Sequence, residues 1–87
     1  MSLETVRIDV DETGYTLAGQ NVTSLTLEER LTASMRAVFV PTGDAAPLVG
    51  EADYIRFDSQ LVVNTGVPAD IYILSPSGPA NIGVARG

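Results

Sequence analysis

The sequence predicts a small all-β domain, either an antiparallel β-sandwich or a partly open barrel of about six to seven short strands. Two observations lead to this prediction. Apolar and polar residues alternate with a period of two over several stretches, as in strands with one buried face. Glycine, proline, asparagine and aspartate interrupt these stretches at short intervals, where turns are expected. Because the chain has 87 residues and no internal repeat or linker, we predict a single β domain over residues 1–87.

The first strand is predicted over residues 3–10, "LETVRIDV", where apolar residues at even positions alternate with polar residues at odd positions from Thr5 onward. After a turn at residues 11–14, the stretch "YTLAG" supplies a short second strand with Tyr15 and Leu17 on one side. Because a tight turn joins the two stretches, we predict that they pair as an N-terminal hairpin.

Residues 26–40, "TLEERLTASMRAVFV", fit two patterns. As a helix, Thr26 and Glu29 would form a capping box, followed by apolar residues at spacings of three and four. As a strand, apolar and polar residues alternate, and Glu29 is the only misfit. The strand explains more positions and the β-branched, aromatic end "AVFV" favours it, so we predict one long, bent strand. A single short helix within residues 26–38 is the alternative.

The C-terminal half begins with a break at residues 41–44 and a loop up to residue 53. The stretch "DYIRFDSQLVVNTG" then resumes the alternation, with a predicted bulge near Ser59 and Gln60. A strand is predicted over residues 69–74, "ADIYIL", and a type I turn, "SPSG", leads into a last strand, "NIGVARG". We predict that these last two strands pair with each other. The predicted core consists of Val6, Ile8, Val10, Leu17, Leu31, Phe39, Ile55, Phe57, Leu61, Val63, Ile71, Ile73, Ile82 and Val84.

The composition argues against several classes of function. The chain has no Cys and no His, and five Arg with no Lys stand against eleven Asp plus Glu, a net charge of −6. Such a surface repels a phosphate backbone, so we expect no nucleic acid partner. No apolar run approaches the roughly 18 residues of a membrane span, and no basic N-terminal region precedes one, so we expect no membrane partner and no targeting signal. Ser75 and Ser77 lack an activating His or Lys, so we expect neither an enzyme nor a cofactor.

The stretch "DVDETG", residues 9–14, is the candidate metal site. Asp9, Asp11 and Thr13 offer oxygens at alternate positions before Gly14, as in the first half of a calcium loop. The twelfth position of such a loop is Gln20, which cannot supply the bidentate carboxylate, and the flanking stretches are strands where that loop needs helices. We therefore favour a hairpin turn and predict no metal, with Asp9, Asp11 and Thr13 as the residues that a metal would use.

Tyr54, Arg56 and Tyr72 are the predicted interface residues. They are expected on the outward face of their strands, and Tyr and Arg are the residue types that anchor protein interfaces. In the alternative, they are cross-strand partners that cover the second face of the sheet. Leu, Val, Ile and Phe together number 25 of the 87 residues, and no Lys guards an exposed strand edge. Both features favour coverage of part of the surface by another chain.

The stretch "RAVFVPTGDAAPLVGEADYIRFDSQLVVNTGVPADIYILSPSGPANIGVARG" is free of Lys and Cys, acidic, rich in Ala, Val and Gly, and closes with a strand. In this character and in its size, the whole chain resembles the small accessory virion proteins of tailed bacteriophages, especially capsid cement or decoration proteins. No specific motif is shared, so no functional residue is carried over.

The resemblance implies a structural protein on the capsid surface of a virion. Such a protein binds between major capsid subunits and stabilises the shell, and its partners would be the major capsid protein and copies of itself. Two alternatives stay open. One is a tail or connector subunit, and the other is a stand-alone β-sandwich module that binds carbohydrate or protein through Tyr54, Arg56 and Tyr72.

Overall fold

The computed structural model of the protein describes residues 4–29, 34–45 and 54–86, and it confirms the predicted all-β class. The strands are β1 (Glu4–Val10), β2 (Thr16–Glu29), β3 (Ser34–Pro41), β4 (Ile55–Asp58), β5 (Gln60–Leu74) and β6 (Ala80–Arg86). All pairings are antiparallel, and the strands form a single sheet in the order β1-β6-β2-β5-β3-β4. The sheet is curled into an open half-barrel. In these ranges no helix is long and apolar enough to cross a membrane.

The two longest strands, β2 and β5, bend the sheet. They pair with each other over most of their length, but the register shifts three times between Leu17 and Ser24. Asn21 of β2 and Gly66 of β5 have positive φ values of 54° and 74°, which a regular strand does not allow. Such irregularities sharpen the local twist and bend of paired strands. Both strands therefore run from one wall of the half-barrel to the other.

The first wall consists of β1, β6, residues 24–29 of β2 and residues 60–64 of β5. The second wall consists of residues 16–22 of β2, residues 69–74 of β5, β3 and β4. Residues of both walls pack into one hydrophobic core, which shows that the walls face each other. The core contains Val10, Ala18, Val22, Leu25, Leu27, Met35, Ala37, Phe57, Val63, Ile71, Ile73, Ile82 and Val84.

Both predicted hairpins are wrong. β1 pairs with β6 and not with β2, and β6 in turn lies between β1 and β2. The turns themselves form, since Gly78 N donates to Ser75 O over 3.4 Å in the predicted "SPSG" turn. Each loop, however, carries the chain past a neighbouring strand, and Ser75 N donates to Asp11 O over 3.1 Å where the two loops meet. A turn sequence specifies a change of direction but does not specify which strand comes next in the sheet.

The segment 26–40, predicted as one long bent strand, contains the end of one strand and most of another. β2 ends at Glu29 and β3 begins at Ser34, while residues 30–33 lie outside the described ranges. The described residues of 26–38 are strands, so the helix alternative is wrong for them. The predicted irregularity near residue 60 is confirmed, because Ser59 has a φ of 66° and separates β4 from β5. β5 then continues without interruption to Leu74. The sequence suggested a strand end near Gly66, but the positive φ of this glycine lets the strand bend there and continue.

The predicted core is confirmed except at two described positions. Leu17 is 36% exposed because it lies opposite Tyr72 on the outer face of the second wall. Ile55 is 51% exposed. It lies opposite the buried Ala37, but on the edge strand β4, where the half-barrel is open. Leu31 lies outside the described residues. Val6, Ile8, Phe39 and Leu61 are half-buried at the margin of the core.

Candidate interaction surface

The outer face of the second wall carries the three tyrosines of the chain and two of its five arginines. In the register, Tyr72 lies opposite Val38 on one side and Leu17 on the other, and Arg36 lies opposite Arg56. Directly opposite residues of paired strands project from the same face. We call this surface the Tyr/Arg face, and it comprises Tyr15, Leu17, Arg36, Val38, Tyr54, Arg56 and Tyr72.

The three residues predicted from the sequence as an interface thus share one face. Tyr54 is 46% exposed, Arg56 is exposed, and Tyr72 is half-buried in the middle of the wall. The structure adds Arg36, whose guanidinium carbon lies 4.4 Å from the centre of the Tyr54 ring. A cation–π contact of this kind contributes about 0.5–1 kcal/mol at an exposed site, and it orients both side chains.

Tyr15 is a further member of the face that the sequence did not predict as an interface residue. Burial raises the pKa of its phenol above the ordinary value, Arg36 acts in the opposite direction, and Tyr54 raises the pKa further. The phenol is therefore protonated at neutral pH and can donate a hydrogen bond to a partner. The sequence placed Tyr15 on the same side of its strand as Leu17, and Leu17 was predicted to lie in the core, whereas this side of the strand faces outward.

Arg36 and Arg56 place two positive charges directly opposite each other. Like charges in this position destabilise a sheet. Over the described ranges, neither guanidinium has a carboxylate as an ion-pair partner, and the nearby Asp58 accepts a hydrogen bond from Ser34 Oγ. The face is therefore a positive region on a chain whose net charge is −6. A partner that contributes a carboxylate would relieve the repulsion.

The candidate metal residues are explained by local hydrogen bonds. Asp11 Oδ1 accepts from Thr13 N at 3.0 Å and from Thr13 Oγ1 at 2.6 Å, which is an Asx turn. Asp9 Oδ1 accepts from Asn81 Nδ2 of β6 at 2.8 Å. In the part of the chain that the structure describes, no group of three or more Asp, Glu, His or Cys side chains could hold a metal ion. The stretch therefore turns the chain, although it is not the tip of the predicted hairpin.

The Asx turn leads to a prediction about acid titration. The pKa of Asp11 lies below its ordinary value, first because of the Thr13 hydroxyl and then because of the Thr13 amide; burial acts in the opposite direction, and the Gly14 amide adds the last lowering effect. We expect Thr13→Val to raise the pKa of Asp11 toward the ordinary value, because the largest cause is removed. Carboxyl ¹³C chemical shifts followed through an acid titration would measure it.

The sign of the linked stability follows from the lowered folded-state pKa of Asp11. The contribution of Asp11 to stability is present above the pKa of the unfolded chain and disappears as the pH falls through the folded-state pKa. In Thr13→Val this pH-dependent part should shrink. Thr5→Val, at an exposed position of β1, serves as the control and should leave the titration of Asp11 unchanged. An unchanged Asp11 pKa in Thr13→Val would contradict the explanation.

Asp70 is a buried carboxylate that the sequence analysis did not single out. It is 3% exposed, and its Oδ1 accepts from Asn21 N at 2.8 Å while its Oδ2 accepts from Gly43 N at 3.2 Å. Both donors have positive φ, 54° at Asn21 and 96° at Gly43. Asp70 therefore ties β5 to the bend of β2 and to the turn after β3, which holds the second wall together.

An open cleft of about 460 Å³ lies at the bend of β5. Its lining is Phe39, Val40, Pro41, Val63, Asn64, Thr65, Val67, Pro68 and Ala69. This lining carries no charged side chain, and Val67 is 66% exposed. The cleft is suited to apolar contact, whereas the Tyr/Arg face combines aromatic, polar and charged groups.

Comparison of the chain with protein-family models, with curated proteins and with solved structures finds no match.

Proposed function

We propose that the protein is a non-enzymatic structural subunit that binds its partner through the Tyr/Arg face. One observation carries the proposal: all three tyrosines of the chain and two of its five arginines lie on a single outer face. Tyr and Arg dominate the binding energy of protein interfaces, because they combine large contact area with directed polar groups.

The chemistry of the face indicates the chemistry of the partner. A carboxylate placed between Arg36 and Arg56 would remove their mutual repulsion and form charge-assisted hydrogen bonds. Around this position, the exposed Leu17 and the half-buried Tyr72 offer apolar contact. The proposed partner is therefore a protein surface with one or two acidic side chains in an apolar surround.

We place this subunit on a viral capsid, as a cement or decoration protein that binds between major capsid subunits and stabilises the shell. The support is the resemblance of the chain to small accessory virion proteins, together with a sheet whose outer face is built for protein contact. Clamping of neighbouring subunits requires contact area and needs no catalytic group. The Tyr/Arg face supplies that contact area.

The proposal predicts that single substitutions on the face weaken binding to the capsid. Tyr72→Ala or Arg56→Ala should lower affinity for phage particles stripped of the protein by at least about tenfold, the usual cost of removing an interface anchor. Val62→Ser is the matched control, because Val62 is 68% exposed but belongs to the first wall. Co-sedimentation of each variant with stripped particles measures the binding.

The role in stabilisation is tested with the same particles. Stripped particles should lose resistance to heat and osmotic shock, regain it with the wild-type protein and with Val62→Ser, and fail to regain it with Tyr72→Ala. Wild-type rebinding without any gain in resistance would rule out the cement role. Equal rebinding of Tyr72→Ala and wild type would rule out the Tyr/Arg face as the surface that binds the capsid.

The alternatives make different predictions. A stand-alone module for carbohydrate would stack a sugar on an exposed aromatic ring, but Arg36 already lies over the Tyr54 ring and Tyr72 is half-buried. This geometry favours a protein partner. Binding of the monomeric protein to a glycan array, abolished by Tyr72→Ala, would support the module instead. Recovery of the chain at a fixed copy ratio in purified tails, and not in heads, would support a tail or connector subunit.

A further inference from the structure

The outer edge of β1 has the properties of a pairing surface. Among the described residues, β1 pairs only with β6, so its other edge presents free backbone donors and acceptors. Its seven residues pair with β6 without a register shift, and they include no Pro, no Lys and no bulge. Pro, Lys and bulges are among the devices by which soluble proteins prevent a second strand from adding to an edge, and the exposed charges that β1 does carry, Arg7 and Asp9, are of opposite sign. The other edge strand, β4, has only four residues.

The side chains of β1 are also incomplete in their contacts. Val6 and Ile8 face inward but are only half-buried at the margin of the core. Arg7 and Asp9 project from the exposed face, where Asn81 accepts from Arg7 Nε and donates to Asp9 Oδ1. The second oxygen of Asp9 has no hydrogen-bond partner in the described ranges. A strand added beside β1 would cover the apolar pair and meet both charges.

The sequence of β1 is complementary to itself in one register. In antiparallel pairing, directly opposite residues share a face, so an inward residue must lie opposite an inward residue. With Ile8 opposite Ile8 of a second copy, Arg7 of each copy lies opposite Asp9 of the other. A register centred on Arg7 would oppose two arginines, and one centred on Asp9 would oppose two aspartates. The Ile8-centred register therefore forms two ion pairs and no like-charge pair.

We propose that the protein forms a symmetric dimer by antiparallel pairing of β1 with β1 of a second copy, centred on Ile8. The two-fold axis passes through the sheet at Ile8, so the two half-barrels share one continuous sheet and their inner faces lie on the same side. This interface uses the edge opposite to β4 and is independent of the Tyr/Arg face. A dimer of this kind would present two copies of that face to an assembly.

Charge exchange tests the register. In Arg7→Glu the copies would oppose glutamate and aspartate twice, and in Asp9→Arg they would oppose two arginines twice. Each single variant should therefore raise the dimer dissociation constant at least about tenfold, because cross-strand charge pairs contribute about 0.2–1 kcal/mol each and become repulsive. An equimolar mixture of the two variants should form a heterodimer, since both opposite pairs then attract. Sedimentation velocity and native mass spectrometry measure both effects.

A disulfide tests the same geometry independently. The chain has no Cys, so Ile8→Cys introduces a single thiol that would face itself across the two-fold axis, within the Cα distance that a disulfide spans. Oxidation should cross-link Ile8→Cys into a dimer, whereas the exposed control Val62→Cys should stay monomeric under the same conditions.

Three results would overturn the proposal. They are a wild-type protein that is monomeric up to high micromolar concentration, single charge variants that dimerise as well as wild type, or equal cross-linking of the two Cys variants. Circular dichroism of each variant shows whether it is folded, so that loss of the dimer can be distinguished from loss of the fold. Tyr72→Ala should leave the dimer intact, which separates failure of this proposal from failure of the proposed function.

Discussion

Asp70→Ala is expected to lower the free energy of unfolding by about 3 kcal/mol. The substitution removes two charge-assisted hydrogen bonds, to Asn21 N and Gly43 N, and hydrogen bonds to a charged group contribute about 1.5–3 kcal/mol each. A chain of 87 residues has a total stability of about 4–13 kcal/mol, so this loss is a large share of it. Urea unfolding followed by circular dichroism would show a lower midpoint with an unchanged slope.

Two further variants make the Asp70 prediction specific. Asp70→Asn keeps the acceptor for Asn21 N but can place an amide donor against Gly43 N, so its cost should lie between wild type and Asp70→Ala. Asp44→Ala changes an exposed carboxylate in the neighbouring turn and should cost less than about 0.5 kcal/mol. Equal losses in Asp44→Ala and Asp70→Ala would mean that Asp70 does not hold the two backbone segments.

Leu27→Ala is expected to cost about 3 kcal/mol, and Leu17→Ala less than about 1 kcal/mol. Leu27 is fully buried between Leu61 of β5 and Val84 of β6, so its truncation leaves a cavity in the core. Leu17 lies on the same strand but is 36% exposed on the Tyr/Arg face. Chemical denaturation of both variants under identical conditions measures the difference.

The Leu17 and Leu27 pair also tests the bend of β2. If β2 ran straight, all its odd-numbered residues would lie on one face of the sheet. Leu17 and Leu27 would then both lie on that face. The register shifts between Leu17 and Ser24 instead place Ala18 inward in the first half and Leu27 inward in the second. Similar costs for the two variants would contradict this change of face.

Alternation along the chain predicted the strands well, because the side chains of a strand sort by face within a few residues. β1, the end of β5 and β6 lie where the sequence predicts them, and Ile71, Ile73, Ile82 and Val84 are fully or almost fully buried. The irregularity at Ser59 was likewise predictable, since polar residues interrupt the alternation there. These features depend on neighbours in the sequence, which is why they could be derived from it.

The pairing of the strands could not be derived in the same way. Turn residues at 11–14 and 75–78 predicted two hairpins, yet β6 came to lie between β1 and β2. The contact of Ser75 N with Asp11 O joins these loops from opposite ends of the chain. Pairing between distant segments depends on the total area that the closed core buries, and no local pattern records that sum.

The interaction surface shows the same division. The sequence predicted Tyr54, Arg56 and Tyr72 as outward residues of an interface, and the register together with the Arg36–Tyr54 contact places them on one face. Arg36 and Tyr15 join that face only because β3 lies between β4 and β5 and because the bend of β2 turns its first residues outward. Whether the face binds a partner stays a prediction for the particle experiments.

The sequence by itself determined the all-β class, the strand-forming stretches, the turn residues and the acidic, Lys-free surface. These depend on the period of two along a strand and on the chemistry of single residues. Only the tertiary structure decided the strand order, the change of face within β2, the role of Asp70 and the juxtaposition of Arg36 with Arg56 and Tyr54. Each of these is a relation between residues far apart in the chain, and it is the closing of the core that brings such residues together.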